Sequence, residues 1–289
     1  MDNIARELLK VKLQSFKGSA FQDKIDRIFL IIYGDEGFVR IKQKRDKGSD
    51  GILEGSTILA AYAPESYLLR SFKAKISLDY KSYEKNWQDT YPKWMVITNL
   101  ESTAEMVIFV SSLKEGSSII CIEKLLEIIR KQTWTNKSSI FTALDIPDKY
   151  LTNDVLATVI EDLISACDDE TTFYSYESPA YIKTKIDLNI SQDNVDAFLN
   201  EYEDCLAVFP YLQHVMKSNN SNNIASIRSK VTRSYTEVSG TFEERFGLMV
   251  RNLSKDKVVD DYYTHYMRVV LIYFFEQCLF GKKVEEEYQ

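Results

Sequence analysis

The chain has 289 residues, of which 45% are hydrophobic and 27% charged. That composition excludes wholesale disorder and makes two domains the natural expectation. The formal net charge of −7 conceals a division, with residues 1–100 carrying a net +4 and the remainder a net −11. No apolar run reaches the ~18 residues of a bilayer span. The four cysteines (Cys121, Cys167, Cys205, Cys278) contain no CxxC pair, which excludes a zinc knuckle.

Apolar residues recur at helical spacing over residues 3–16 and 20–33, separated by Lys17-Gly18-Ser19. The opening stretch is amphipathic and charged and lacks a secretory h-region, so a cytoplasmic protein with reduced thiols is expected. A turn at residues 33–37 leads into a strand over 38–43, a polar loop over 44–49, and strands at Ile52–Leu53 and Thr57–Tyr62 around the turn Glu54-Gly55-Ser56. Ser66 opens a helix running to about residue 85. Trp94–Thr98 and Met106–Val110 read as buried strands, because each is a nearly continuous apolar run. Ser118–Ile122 reads as a further short strand and Glu123–Lys131 as a helix. The mixture predicts an α/β or α+β domain, the former preferred, over residues 1–147.

After Pro147 the pattern changes. Residues 152–167 read as an amphipathic helix, 168–191 as irregular with one strand pair (Ile182–Ile190 alternates), and the rest as helical. Helices are expected over Val195–Val208, Ile224–Val238, Phe242–Leu253 and Asp260–Phe280, with a polar break at Lys217–Asn223. The last helix is apolar almost all round, which fits burial in its own bundle or in an interface. Residues 148–289 are thus expected to form a mainly α-helical interaction domain.

The chemistry concentrates between Phe38 and Glu65. Asp50 follows a polar loop, precedes Gly51 and opens a strand. Metal-dependent phosphodiester cleavage needs carboxylates for Mg2+ and a Lys or similar group to polarise water. Asp50 suits the first carboxylate, and a helix acid (Asp23 or Asp26) and Lys47 are candidates for the remaining roles. Gln22 and Asp46 are further candidates. In the restriction-endonuclease-like arrangement that this order of elements resembles, the Thr57–Tyr62 strand supplies an acid or amide and a Lys two residues on; here it holds Ala60 and Tyr62. Asp23 and Asp26 also fit a solvated helix face. Arg40, Lys42, Lys44, Arg45 and Lys47 form a basic run able to neutralise phosphates. The same run fits an edge strand blunted against aggregation. Only His214 and His265 exist, and neither joins a Ser or Cys in a triad pattern; no GxxxxGK[ST] and no GxGxxG after a strand is present.

The segment Phe38-Val39-Arg40, Asp46–Gly51, Thr57 and Ala61–Glu65, followed by Trp94–Asn99, resembles the restriction-endonuclease-like PD-(D/E)xK domain of bacterial ABC-three-component, Lamassu-like defence systems. Ile227–Lys230, Glu243–Phe246 and Tyr273–Cys278 resemble the helical C-terminal domain of components of the same systems. The resemblance implies an antiviral defence component with Mg2+, if active, as its cofactor. Its implied partners are DNA, an SMC-like ATPase and other defence subunits, with no membrane and no small-molecule cofactor. Ala60 departs from the family's Gln or acid, and the loop before Asp50 is shorter. Three readings follow: a DNA-binding or docking subunit with a degenerate nuclease site, an active Mg2+-dependent endonuclease, or an interaction protein unrelated to nucleic acid.

Overall fold

A computed structural model describes residues 3–41, 48–166 and 182–283, and the chain divides into two compact units, Met1–Asp148 and Lys149–Gln289. The front unit begins with helices α1 (Asn3–Ser15) and α2 (Gly18–Gly37). α2 buries Phe21, Ile25, Ile28 and Phe29 on one face and kinks at Gly34, whose φ of 67° a glycine adopts without a Cβ clash. Strands β1 (Phe38–Arg40), β2 (Gly51–Leu53) and β3 (Thr57–Tyr62) form an antiparallel meander. The β2–β3 connection turns through Glu54 and Gly55, both at positive φ, with Ser56 N–H donating to Leu53 O at 3.2 Å. Helix α3 (Leu69–Asn86) crosses to β4 (Lys93–Thr98), which pairs parallel to β3, and helix α4 (Ala104–Leu113) crosses to β5 (Ser118–Ile120), parallel to β4. Helices α5 (Ile122–Arg130) and α6 (Trp134–Ala143) complete the unit. The five-stranded sheet runs in the order β1-β2-β3-β4-β5.

The two faces of that sheet are chemically distinct. Ile58, Ala60 and Tyr62 of β3 and Trp94 and Val96 of β4 pack into one apolar core with Phe72, Ile76 and Tyr83 of α3 and Met106 and Val110 of α4. Side chains alternate along a strand, so Thr57, Leu59 and Ala61 project to the other face. Phe38 lies on that second face, edge-on to Phe29 of α2 with ring centroids 5.5 Å apart. Cross-strand partners share a face, and the register pairs Arg40 with Gly51 and Gly51 with Leu59.

Two expectations are corrected. Met106–Val110 lies within the helix α4, not a strand; Thr103 caps it, its side chain accepting from Met106 N–H. Ile182–Ile190 forms helix α8 (Ile182–Asn189) rather than one arm of a strand pair. The rest of that irregular stretch, residues 168–181, lies outside the described residues.

The described residues of the second unit are helical: α7 (Lys149–Ser165), α8, α9 (Val195–Leu206), α10 (Phe209–Lys217), α11 (Ser221–Thr236), α12 (Phe242–Ser254) and α13 (Asp261–Glu276). The polar break shrinks to three residues, because Asn220 caps α11 through Asn223 N–H. α13 packs against α7, α9, α10 and α12, so its nearly all-round apolar surface is spent inside the unit. Its anchors are specific. Asp162 of α7 takes the Tyr263 hydroxyl at 2.8 Å and pairs with Lys257, and Tyr202 of α9 donates to Glu276 at 2.7 Å. Lys185 of α8, almost fully buried, donates to the Phe275 carbonyl at the C-terminal end of α13. Among the described residues no helix is long and apolar enough to cross a membrane.

Candidate functional site

Asp50 is placed by two glycines. Gly48 has φ 79°, and a Cβ there would stand 2.7 Å from Ser82 Cβ and 3.0 Å from Asp79 O, so the chain runs directly against α3. Gly51 leaves room for the Phe38 ring, which a Cβ would meet at 2.6 Å. Between them Ser49 is buried, its hydroxyl donating to Gly51 O at 3.3 Å. Asp50 N–H donates to Leu59 O at 2.8 Å, and the Asp50 carbonyl accepts from Ile41 N–H at 3.3 Å. The half-buried carboxylate accepts the Ala61 N–H through Oδ2 at 2.6 Å. It thereby satisfies a backbone donor where the β2–β3 ladder ends.

Arg40, at the end of β1, reaches back to α2. Its guanidinium pairs with Asp23 through Nη2 and stands 2.7 Å from Asp26 Oδ2 through Nε, the latter an ion-pair contact rather than an aligned hydrogen bond. Asp23 and Asp26 lie three residues apart and so share a helix face. They differ in burial: the Asp26 side chain is 4% exposed and that of Asp23 52%. Burial pushes the Asp26 carboxyl up to about 6, against the pull of Arg40 and with the added repulsion of Asp23 and Asp50. The pairing of Arg40 with Gly51, and of Ile41 N–H with the Asp50 carbonyl, sets Asp50 beside the strand end from which Arg40 reaches Asp23 and Asp26, in one corner of the molecule.

The corner therefore gathers Asp23, Asp26, Arg40 and Asp50. Gln22 is also buried on α2. Lys42, Lys44, Arg45, Asp46 and Lys47 lie outside the described residues. The expected contribution of β3 is corrected. Ala60 and Tyr62 face the opposite side of the sheet, where Tyr62 packs edge-on to Phe72 at 5.3 Å and burial raises its hydroxyl pKa. The residues of β3 on the other face are Thr57, Leu59 and Ala61. Neither face of this strand carries an acid, an amide or a lysine.

Mg2+ demands about six oxygens in near-octahedral geometry. Arg40 already draws on both helix carboxylates, and Asp50 has given one oxygen to a backbone amide. Among the described residues no group of three His, Cys, Asp or Glu side chains is placed to hold a metal ion. The described residues at this corner do not fit the metal. What the arrangement does chemically is bind its own cation: one guanidinium spans two carboxylates and fastens β1 to α2.

The part of this corner that sequence reasoning missed is the pairing of Arg40 with acids instead of phosphates. The signal was present in the Asp-x-x-Asp spacing of α2 and in the short chain separation between α2 and β1. Elsewhere, Cys121 and Cys205 are buried free thiols and Cys278 is half-buried and free; Cys167 lies outside the described residues. The chain matches no protein-family model, no curated protein and no solved structure.

Proposed function

We propose that the front unit is a nuclease-shaped but non-cleaving module that binds DNA, in a subunit of an antiviral defence complex that docks to an SMC-like ATPase. Two features support the nuclease ancestry. The sheet is an antiparallel meander followed by parallel strands with helical crossovers, and an aspartate stands at the mouth of its second strand. The observation that carries the loss of cutting is β3, which brings no acid, amide or lysine to the corner. Without these the site lacks the second metal ligand and the group that would polarise water. Arg40 further reduces the charge of the helix carboxylates. DNA binding rests on Lys42, Lys44, Arg45 and Lys47 of the basic run, Arg40 being engaged by Asp23 and Asp26, and on the positive balance of residues 1–100. The defence role and the ATPase partner rest on the sequence resemblance.

The test is duplex binding by the full chain as salt rises from about 50 to about 200 mM. The reading expects binding that falls steeply over this range and weakens when Lys42, Lys44, Arg45 and Lys47 are replaced together by alanine. Affinity that ignores both salt and the substitutions refutes a DNA-binding role and leaves the interaction protein unrelated to nucleic acid.

A further inference from the structure

Helix α3 turns a cationic stripe to solvent. Phe72, Ile76, Asp79 and Tyr83 are buried on its inner side, which fixes the rotation of the helix on the sheet. At the helical repeat, Arg70, Ala74, Leu78, Lys81 and Lys85 fall within about 80° of one another on the outer side. All five are exposed. The other basic residues of α3 are drawn to the flanks. Lys75 pairs with the buried Asp79 on one side, and Lys73 lies 5.5 Å from the Phe109 ring centroid of α4 on the other. Arg70, Lys81 and Lys85 form no ion pair among the described residues. Glu84, the exposed acid of the helix, stands at the margin of the stripe toward Tyr80 and pairs with none of them. Lys81 and Lys85, four residues apart, repel each other across one helical turn, a cost that a bound anion offsets.

The extent of the stripe points to the chemistry of the occupant. Arg70 to Lys85 covers about 22 Å along the helix axis, which is too long for a single phosphate and matches about six phosphate steps along one strand of a duplex. An anionic bilayer is gripped by apolar side chains set among the cations, and of these the stripe offers only Leu78. The basic run adjoins the same helix. Gly48, the residue that follows the run, is seated against Ser82 and the Asp79 carbonyl of α3, one residue to either side of Tyr80 and Lys81.

We infer that the outer face of α3 holds the phosphate backbone of duplex nucleic acid, with Arg70, Lys81 and Lys85 each taking a phosphate. The inference rests on the DNA-binding reading and gives it a rigid platform beside the loop. The full chain carrying Arg70→Gln, Lys81→Gln and Lys85→Gln is compared with the wild type by fluorescence anisotropy on a labelled duplex from about 50 to about 200 mM salt. Loss of three phosphate contacts lowers the slope of log K against log salt by about 2.7 and weakens binding roughly a hundredfold at about 100 mM salt. Arg70→Lys with Lys81→Arg and Lys85→Arg keeps both, since a backbone phosphate accepts either cation. So does a control with the same change of net charge, Lys131→Gln, Lys183→Gln and Lys217→Gln, all exposed cations outside α3. An unchanged slope in the α3 glutamine variant overturns the inference; if the slope falls on replacing Lys42, Lys44, Arg45 and Lys47, the DNA-binding reading still stands. A slope lost equally in the conservative variant or in the control also overturns it, because the effect is then not one of cations at α3. Wild-type chain that shows no salt-dependent duplex binding overturns the inference and the reading together. Binding to phosphatidylserine vesicles in preference to duplex, lost in the α3 glutamine variant, overturns it in favour of a membrane surface.

Discussion

Asp26→Asn should stabilise the front unit at neutral and alkaline pH, although it deletes one arm of an ion pair. The Asp26 side chain is buried, and its carboxyl is raised from 3.8 to about 6 with burial as the largest cause and Arg40 as the opposing one. The fold thus favours the neutral acid over the carboxylate even with the guanidinium in place. A folded pKa above the unfolded one means that the stabilising effect of protonation is fully present below about 3.8 and is lost as pH rises through about 6. A separation of about two units corresponds to about 3 kcal/mol, which the wild type forgoes above that window and Asn, a neutral isostere, does not. Urea unfolding followed by tryptophan fluorescence reads this unit selectively, because Trp87, Trp94 and Trp134 all lie within it. The mutant and wild type should unfold alike near pH 4, and the mutant should gain up to about 3 kcal/mol by pH 8. A mutant less stable than wild type at pH 8 would refute the reasoning, since the Arg40 ion pair would then outweigh the cost of desolvation.

Asp50→Ala leaves the Ala61 N–H without its acceptor and should cost about 1–2 kcal/mol, measured by the same urea unfolding. Gly48→Ala forces a Cβ into a left-handed position against Ser82 and should cost about 2 kcal/mol or more, lowering the front unit's midpoint. Lys185→Ala removes a buried partner of the α13 terminus and should cost about 3 kcal/mol by loss of helical circular dichroism on heating. Lys185→Met, which fills the same space without a charge to desolvate, should stay within about 1 kcal/mol of wild type, because burial already holds the Lys185 pKa down.

The sequence made the sheet's centre legible where local and long-range signals agree. The runs at 57–62 and 94–98 are bounded by turn residues, and they form β3 and β4. Agreement fails at α4. Met106-Val107-Ile108-Phe109-Val110 has no polar member to reveal a period, and the start signal was a single Thr103 cap. Helix α8 fails for the opposite reason, since Ile182, Thr184 and Ile186 alternate with lysines over a span too short to separate the two periods. α6 (Trp134–Ala143) was not foreseen; its cap, Thr133, accepts from Asn136 N–H. At the candidate site, the position of Asp50 before Gly51 could be read directly, because glycine and aspartate punctuate strand ends. The facing of Ala60 and Tyr62 could not, since it depends on register with β2 and β4. The clasp of Arg40 on Asp23 and Asp26 is a tertiary contact across the α2 kink, and local pattern does not encode it.

The most direct test of the account is incubation of the full chain with supercoiled plasmid in Mg2+ and in Mn2+, beside the Asp50→Ala variant and with duplex binding measured on the same preparation. The account predicts binding and an intact plasmid in both metals for both proteins. Nicking or linearisation by the wild type that disappears in Asp50→Ala would contradict it and establish a working metal site at this corner.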